Sequence, residues 1–274
     1  MNCDPSTYHS RSVDAIILAG GRISGAYARA AGTSVKALAP VGAVPLLQRV
    51  LEALRAAETV GRICVVGPEC LRPLGAPGVV WQSESGTALA NLRAGLERLG
   101  VDGSDRVLIC ASDLPFLGAA SLNDFLRRAP EEADVALPVV RRETFTDAFP
   151  GNWGIYVRLS EGAFTAGSQL LVRPGALLEN LPLVRRLFEQ RKNQLGMART
   201  LGAGMLWRLV TRRLTVSEIE TRARALTGCH CAAVLDCRPE LAFDVDNMLD
   251  LRYVERWFSR RDNEPQHPEG TRGR

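Results

Sequence analysis

The sequence predicts an α/β fold: a mostly parallel central sheet with helices on both faces and a helical insert in the C-terminal half. Three observations predict it. Short apolar runs alternate with helical patterns through the first half of the chain, which is how parallel strands joined by crossover helices read. The 274 residues are enough for one large domain with a well-buried core. The composition, 46% hydrophobic and 23% charged, is that of a globular protein.

The elements follow in order. "AIILA" from Ala15 reads as a buried strand, and "PLLQRVLEALRAA" carries apolar residues at helical spacing. "RICVVG" and "GVVWQ" read as strands, and "TALANLRAGLERLG" as a helix that ends at Gly100. Ser85 or Thr87 is the expected cap of that helix. "RVLICASD" is a strand, "SLNDFLRRA" a helix opened by a serine cap, and "DVALPVV" another strand. In the second half, Tyr156 to Pro174 reads as a hairpin around Glu161-Gly162. A helix-rich insert spans residues 181–226. "CAAVLD" and "LAFDVD" read as strands that return to the sheet, and "NMLDLRYVERWF" closes the chain as a helix. With no repeat and no linker, one domain over residues 13–260 is expected, with polar, disordered tails at 1–12 and 261–274.

Composition narrows the partners. The net charge of +4 is spread along the chain, not gathered into a basic run, which argues against nucleic acid. The polar N-terminus has no apolar secretory core, and no apolar run of membrane-spanning length occurs. Seven scattered cysteines, an odd number, suit a reducing cytoplasm better than a disulfide framework. Cys229 to Cys237, "CHCAAVLDC", lacks the usual zinc-knuckle spacing. The stretch Ala198 to Leu226 is apolar with Arg208, Arg212 and Arg213. It suits packing on its own domain or on a partner subunit better than a membrane surface, and it leaves a homo-oligomer open.

Chemistry concentrates where strands end. Ligands of such sheets bind beyond the carboxyl ends of the strands. "AIILAGG" places Gly20 and Gly21 at one such end, where the missing side chains let a phosphate approach main-chain N–H groups. The loop is neither a Walker A motif nor a dinucleotide fingerprint, since no Gly-Lys-Ser/Thr occurs and Arg22 stands where a glycine is required. Of the 34 basic residues only Lys36 and Lys192 are lysine, and Lys36 follows the glycine loop. "ASDLP" places Asp113 at a second strand end. An aspartate there can cap a turn, or it can join a second carboxylate on Mg²⁺. Asp244 and Asp246, alternating along an expected strand, share one face. Asp250 is expected in the first turn of the closing helix.

"LAGG", a polar loop and then "K-x-L-x-P-V-x-x-x-P-L-L" resemble the MobA-like NTP transferases, the molybdenum cofactor guanylyltransferase type. The similarity runs from Val13 to Phe258. It is strongest at Ile16–Leu51, at "ASDLPFL" and at "FDVDNMLDL". The resemblance implies a GT-A-type, Rossmann-like fold and a reaction: an acceptor oxygen attacks the α-phosphorus of a nucleoside triphosphate, and pyrophosphate leaves. It implies a nucleotide site of Leu18, Ala19, Gly20, Gly21 and Arg22, with Ser85, Gly86, Thr87 and Asn91 toward the base or ribose. It implies Lys36 and Asp113 as the catalytic pair, with Asp113 and Asp246 holding Mg²⁺. The implied partners are a nucleoside triphosphate and a small phosphorylated acceptor. Two rival readings are a glycosyltransferase using a nucleotide sugar on the same scaffold and a non-catalytic nucleotide-binding relic. The lysine speaks against the first.

Departures from the family are local. Fourteen residues separate Gly21 from Lys36, a longer loop than the family's, with Arg29 the nearest match to its arginine and Val35 before the lysine. Met248 replaces a proline. Thr165-Ala166-Gly167-Ser168 stands for Thr-Gly-Gly-Asn, and "GNWGIY", with Trp153, for a stretch that carries basic residues in some members. The last two changes lie on the acceptor side.

Overall fold

The computed structural model describes residues 12–75, 77–152, 154–179 and 202–262. Most of both expected tails, Trp153 and the first part of the expected insert lie outside the described residues. The chain opens with β1 (Val13–Leu18), α1 (Gly25–Ala31), the short strands β2 (Pro40–Val41) and β3 (Val44–Pro45), and α2 (Leu46–Ala56). Next come β4 (Val60–Gly67), β5 (Val79–Ser83), α3 (Ala88–Leu99), β6 (Val107–Ala111), α4 (Ala119–Arg128), β7 (Val135–Arg141) and α5 (Arg142–Ala148). The second half holds β8 (Val157–Leu159), β9 (Gly162–Ala166), β10 (Gln169–Val172) and α6 (Pro174–Glu179). It ends with α7 (Ala203–Val210), α8 (Val216–Thr227), β11 (Cys231–Val234) and α9 (Met248–Asp262).

The main sheet runs β5-β4-β1-β6-β10-β7-β9-β8, with β11 also paired to β7. Strands β5, β4, β1 and β6 are parallel neighbours. Only β10 and β9 run against the common direction. Consequently β1, β5 and β6 deliver their carboxyl ends to the same edge, and the functional loops leave from there.

Alternation along β1 divides the core. Ala15 and Ile17 join the larger cluster with α2 and α4, while Ile16 joins a second cluster with Leu92, Leu96 and Leu99 of α3. Helix α3 approaches the sheet closely at Gly95, where an added Cβ would meet Ile16 Cγ2 at 2.9 Å and Val66 Cγ2 at 3.1 Å. Gly95→Val should therefore cost about 2 kcal/mol by overpacking. A urea titration showing no fall in the midpoint would contradict that packing.

Three sequence expectations are corrected, and one helix, α5, was not read. Leu241 to Asp246 forms no strand: a 3-10 turn, Pro239–Leu241, is followed by an irregular segment. Its backbone bonds go to strand tips, not to a ladder, with Ser168 N donating to Leu241 O (3.2 Å) and Val245 N to Asp113 O (3.1 Å). The serine does not cap α4 from outside. Gly118 is the N-cap, and Ser121 reaches back from the first turn to its N–H and carbonyl. The loop after Gly21 contains helix α1, and helix α5 follows β7. Both are seven-residue helices, too short for a periodic signal. The other elements named from the sequence that fall within the described residues sit as read, including the Leu159–Gly162 hairpin, the Thr87 cap that accepts from Ala90 N (3.1 Å), and the left-handed Gly100 that ends α3. Among the described residues, no helix is long and apolar enough to cross a membrane.

Candidate active site

The site starts at the end of β1. Ala19 is fully buried and its N–H bonds Val66 O at 2.8 Å, so the chain leaves the sheet in a fixed direction. Leu18 ends the strand, packed against the second core cluster. Gly20 then lies under the loop that follows β5. A Cβ added to it would come within 2.6 Å of Glu84 Oε2 and 3.3 Å of Asn91 Nδ2. A side chain at this position would have to push the Glu84 carboxylate aside.

The long loop does not carry Lys36 away. Arg22 pairs with Val35 in an antiparallel bridge, and Ile23 N bonds Ser34 O at 2.9 Å. The extra length is folded into α1 beyond that bridge, and Lys36 N returns to Gly21 O at 3.0 Å. Helix α1 also works for the site: Tyr27 is buried and its hydroxyl donates to Val245 O at 3.2 Å. Burial pushes the Tyr27 phenol up to about 12, so it stays a donor. Arg29, the nearest match to the family arginine, is exposed in the last turn of α1.

Lys36 ends among carboxylates. Its ammonium pairs with Asp113, and with Asp246 Oδ1 at 2.7 Å. Its side chain is 16% exposed and that of Asp113 9%, whereas Asp246 is 54% exposed. Burial alone would favour the neutral amine, but the charge and hydrogen bonds of Asp113 and Asp246 outweigh it and hold Lys36 above its ordinary range. Asp244 completes the group. One carboxylate oxygen each from Asp113, Asp244 and Asp246 lies within 4.8 Å of the others, the only such potential metal-binding group among the described residues. Burial, then the charges of Asp246 and Asp113, push the Asp244 carboxyl up to about 6. Ser168 donates to Asp244 Oδ2 at 3.2 Å, at the position where the sequence departs from the family asparagine.

Although Leu241–Asp246 is not a strand, its alternation survives. Phe243 and Val245 are buried, and Phe243 packs on Phe149, Phe116 and Tyr253. That anchoring turns Asp244 and Asp246 together toward Asp113. Asp250, in the first turn of α9, accepts from Asp246 N (3.0 Å) and Asn247 N (3.1 Å) and so fixes the segment from behind.

Three crowded carboxylates beside the Lys36 ammonium offer the oxygen donors that a hard divalent cation takes. Hence the chemistry of the donor set and the raised Asp244 carboxyl both suit one.

The loop after β5 forms the opposite wall. Asn91 is buried, and its Oδ1 accepts from Ser85 N (2.6 Å) and Ser85 Oγ (3.3 Å), fixing the loop. Gly86 has a positive φ of 87°, and Thr87 is occupied as the helix cap. Arg22 bonds Gly20 O at 2.7 Å and pairs with Glu84. Gly20, Gly21, Arg22, Lys36, Asp113 and Asp246 are thus brought to one edge, with Ser85 and Asn91 beside Gly20. Sequence reading passed over Tyr27, Glu84 and the bond made by Ser168. Only Glu84 had a usable signal, as the first residue beyond a strand.

The MobA-like NTP transferase domain matches residues 15–199. The chain belongs to this family. A structure described as a hypothetical transferase from Thermus thermophilus is 35% identical, with a TM-score of 0.75, covering 88% of this chain and 99% of its own. A 2-C-methyl-D-erythritol 4-phosphate cytidylyltransferase, also from Thermus thermophilus, is 20% identical with a TM-score of 0.53, covering 90% and 98%. A Methanothermobacter nucleotidyl transferase is 19% identical with a TM-score of 0.54, covering 91% and 99%. These last two share the fold. A search of curated protein sequences returns no match. Family and fold together make the chain a nucleotidyltransferase.

Proposed function

We propose that the protein transfers a nucleoside monophosphate from a nucleoside triphosphate to a phosphorylated small molecule, with Mg²⁺ as cofactor and pyrophosphate as the second product. The observation that carries this reading is the meeting of Lys36 with Asp113, Asp244 and Asp246 beside the glycine loop. In the proposed reaction an oxygen of the acceptor phosphate forms a bond to the α-phosphorus, and the bond to the pyrophosphate oxygen breaks. No general base is needed, because a phosphate monoester already carries a free anionic oxygen at neutral pH.

The work left to the protein is alignment and charge neutralisation. The N–H groups of Gly20, Gly21 and Arg22 serve the β- and γ-phosphates, that of Ala19 being taken by Val66 O. Lys36 serves the α-phosphate and the incoming phosphate as a compact point charge. Asp113, Asp244 and Asp246 hold the cation, which when bound supplies positive charge to the phosphate oxygens. Ser85, Gly86 and Thr87 line the base side, and Asn91 acts there through Ser85.

Pyrophosphate release, measured with each of the four common NTPs, a panel of phosphorylated acceptors and a Mg²⁺ titration, tests the reading. Metal-dependent release with one acceptor class is expected. Nucleotide binding without turnover on any acceptor would return the protein to the non-catalytic reading. Asp246→Asn is expected to raise the Mg²⁺ needed for half-maximal rate by about tenfold.

A further inference from the structure

Glu84 is a charged group at the site that the reaction above leaves without a task. Its carboxylate sits over Gly20, in the loop to which the reaction above assigns the phosphates. It pairs with Arg22, the only side-chain cation on the loop between Gly20 and Ser24. Its placement is built. Glu84 N bonds Gly67 O at 3.1 Å, and the next residue is held by Asn91. The side chain is 26% exposed, so rotation about its own bonds is enough to move it out.

We propose, resting on the nucleotidyltransferase reading, that Glu84 is an internal stand-in for a phosphate and grades ligands by whether their polyphosphate reaches the loop. A carboxylate and a phosphate seek the same partners, N–H groups and a guanidinium. A triphosphate that settles on Gly20–Arg22 must displace Glu84 and take over Arg22. A nucleoside does not reach the loop and meets no such cost. After transfer, the return of Glu84 to Arg22 helps expel pyrophosphate. The carboxylate thus weakens binding of every ligand that occupies the loop and speeds their exchange.

Glu84→Gln keeps size and removes the charge. An exposed pair of this kind sets a modest scale, so Kd for the Mg²⁺–NTP complex and for Mg²⁺–pyrophosphate should each fall about fivefold, measured by calorimetry. Nucleoside affinity should not change. Pyrophosphate has no base or ribose, so it separates this role from its rival. If Glu84 accepted a hydrogen bond from base or ribose, Glu84→Gln would weaken NTP and nucleoside binding and leave pyrophosphate untouched. That result, or equal affinities in both proteins, would overturn the proposal while the nucleotidyltransferase reading stands. Failure of wild type to bind NTP or pyrophosphate would overturn both. Glu84→Ala, with its circular dichroism spectrum compared to wild type, guards against an effect peculiar to the amide.

Discussion

Lys36→Ala is expected to lower turnover by about two to three orders of magnitude, the usual scale for losing one preorganised charge at a reacting phosphorus. The loss should fall mainly on kcat. Lys36 serves charge that shifts during transfer, and an interaction strengthened in the transition state shows in kcat more than in KM. The fold should survive. The side chain is 16% exposed and its ammonium pairs with the Asp113 and Asp246 carboxylates. Stability should still fall by about 1–3 kcal/mol, because Asp113 is left beside two other carboxylates; Asp246 reaches solvent, which keeps the cost below that of a wholly buried pair. Adding Mg²⁺ should then raise the melting temperature of the variant more than that of wild type, since a bound cation replaces the missing ammonium. An unchanged rate of pyrophosphate release would remove Lys36 from the reaction.

What the sequence disclosed, and what it hid, divides along physical lines. Gly20, Gly21 and Asp113 were legible because each stands beyond an apolar run, and a parallel sheet brings such ends to one edge. Lys36 was legible by rarity. Its distance from Gly21 looked like a departure, because the Arg22–Val35 bridge that closes the loop is a long-range backbone contact with no pattern of its own. Helix α1 was hidden for a related reason: "GAYARAA" opens on glycine, has no side-chain cap and buries only Tyr27 and Ala31. Asp244 and Asp246 were placed on one face for the wrong cause. The alternation comes from Phe243 and Val245 held in the core, not from strand pairing. Glu84 was missed because its significance is its distance to Gly20, across 64 residues of chain.

Asp113→Asn should have the second large effect, and its pattern should differ from that of Lys36→Ala. The amide keeps the shape of the side chain, and the backbone carbonyl that accepts from Val245 is untouched, so the 242–247 segment stays in place. Lys36 keeps Asp246 as partner, and the melting temperature should move little. The cation loses the least exposed of its three proposed ligands. Of the three carboxylates, Asp113 is the one whose charge water and salt screen least, whereas the half-exposed Asp246 is screened more. The Mg²⁺ concentration for half-maximal rate should therefore rise by more than tenfold, and by more than in Asp246→Asn. Turnover at saturating Mg²⁺ should stay about a hundredfold low, because the amide restores neither the charge nor the second acceptor oxygen. Raising Mg²⁺ would thus rescue Asp246→Asn further than Asp113→Asn. A wild-type metal titration for Asp113→Asn would mean that the cation is held elsewhere and that the three carboxylates serve only to orient Lys36.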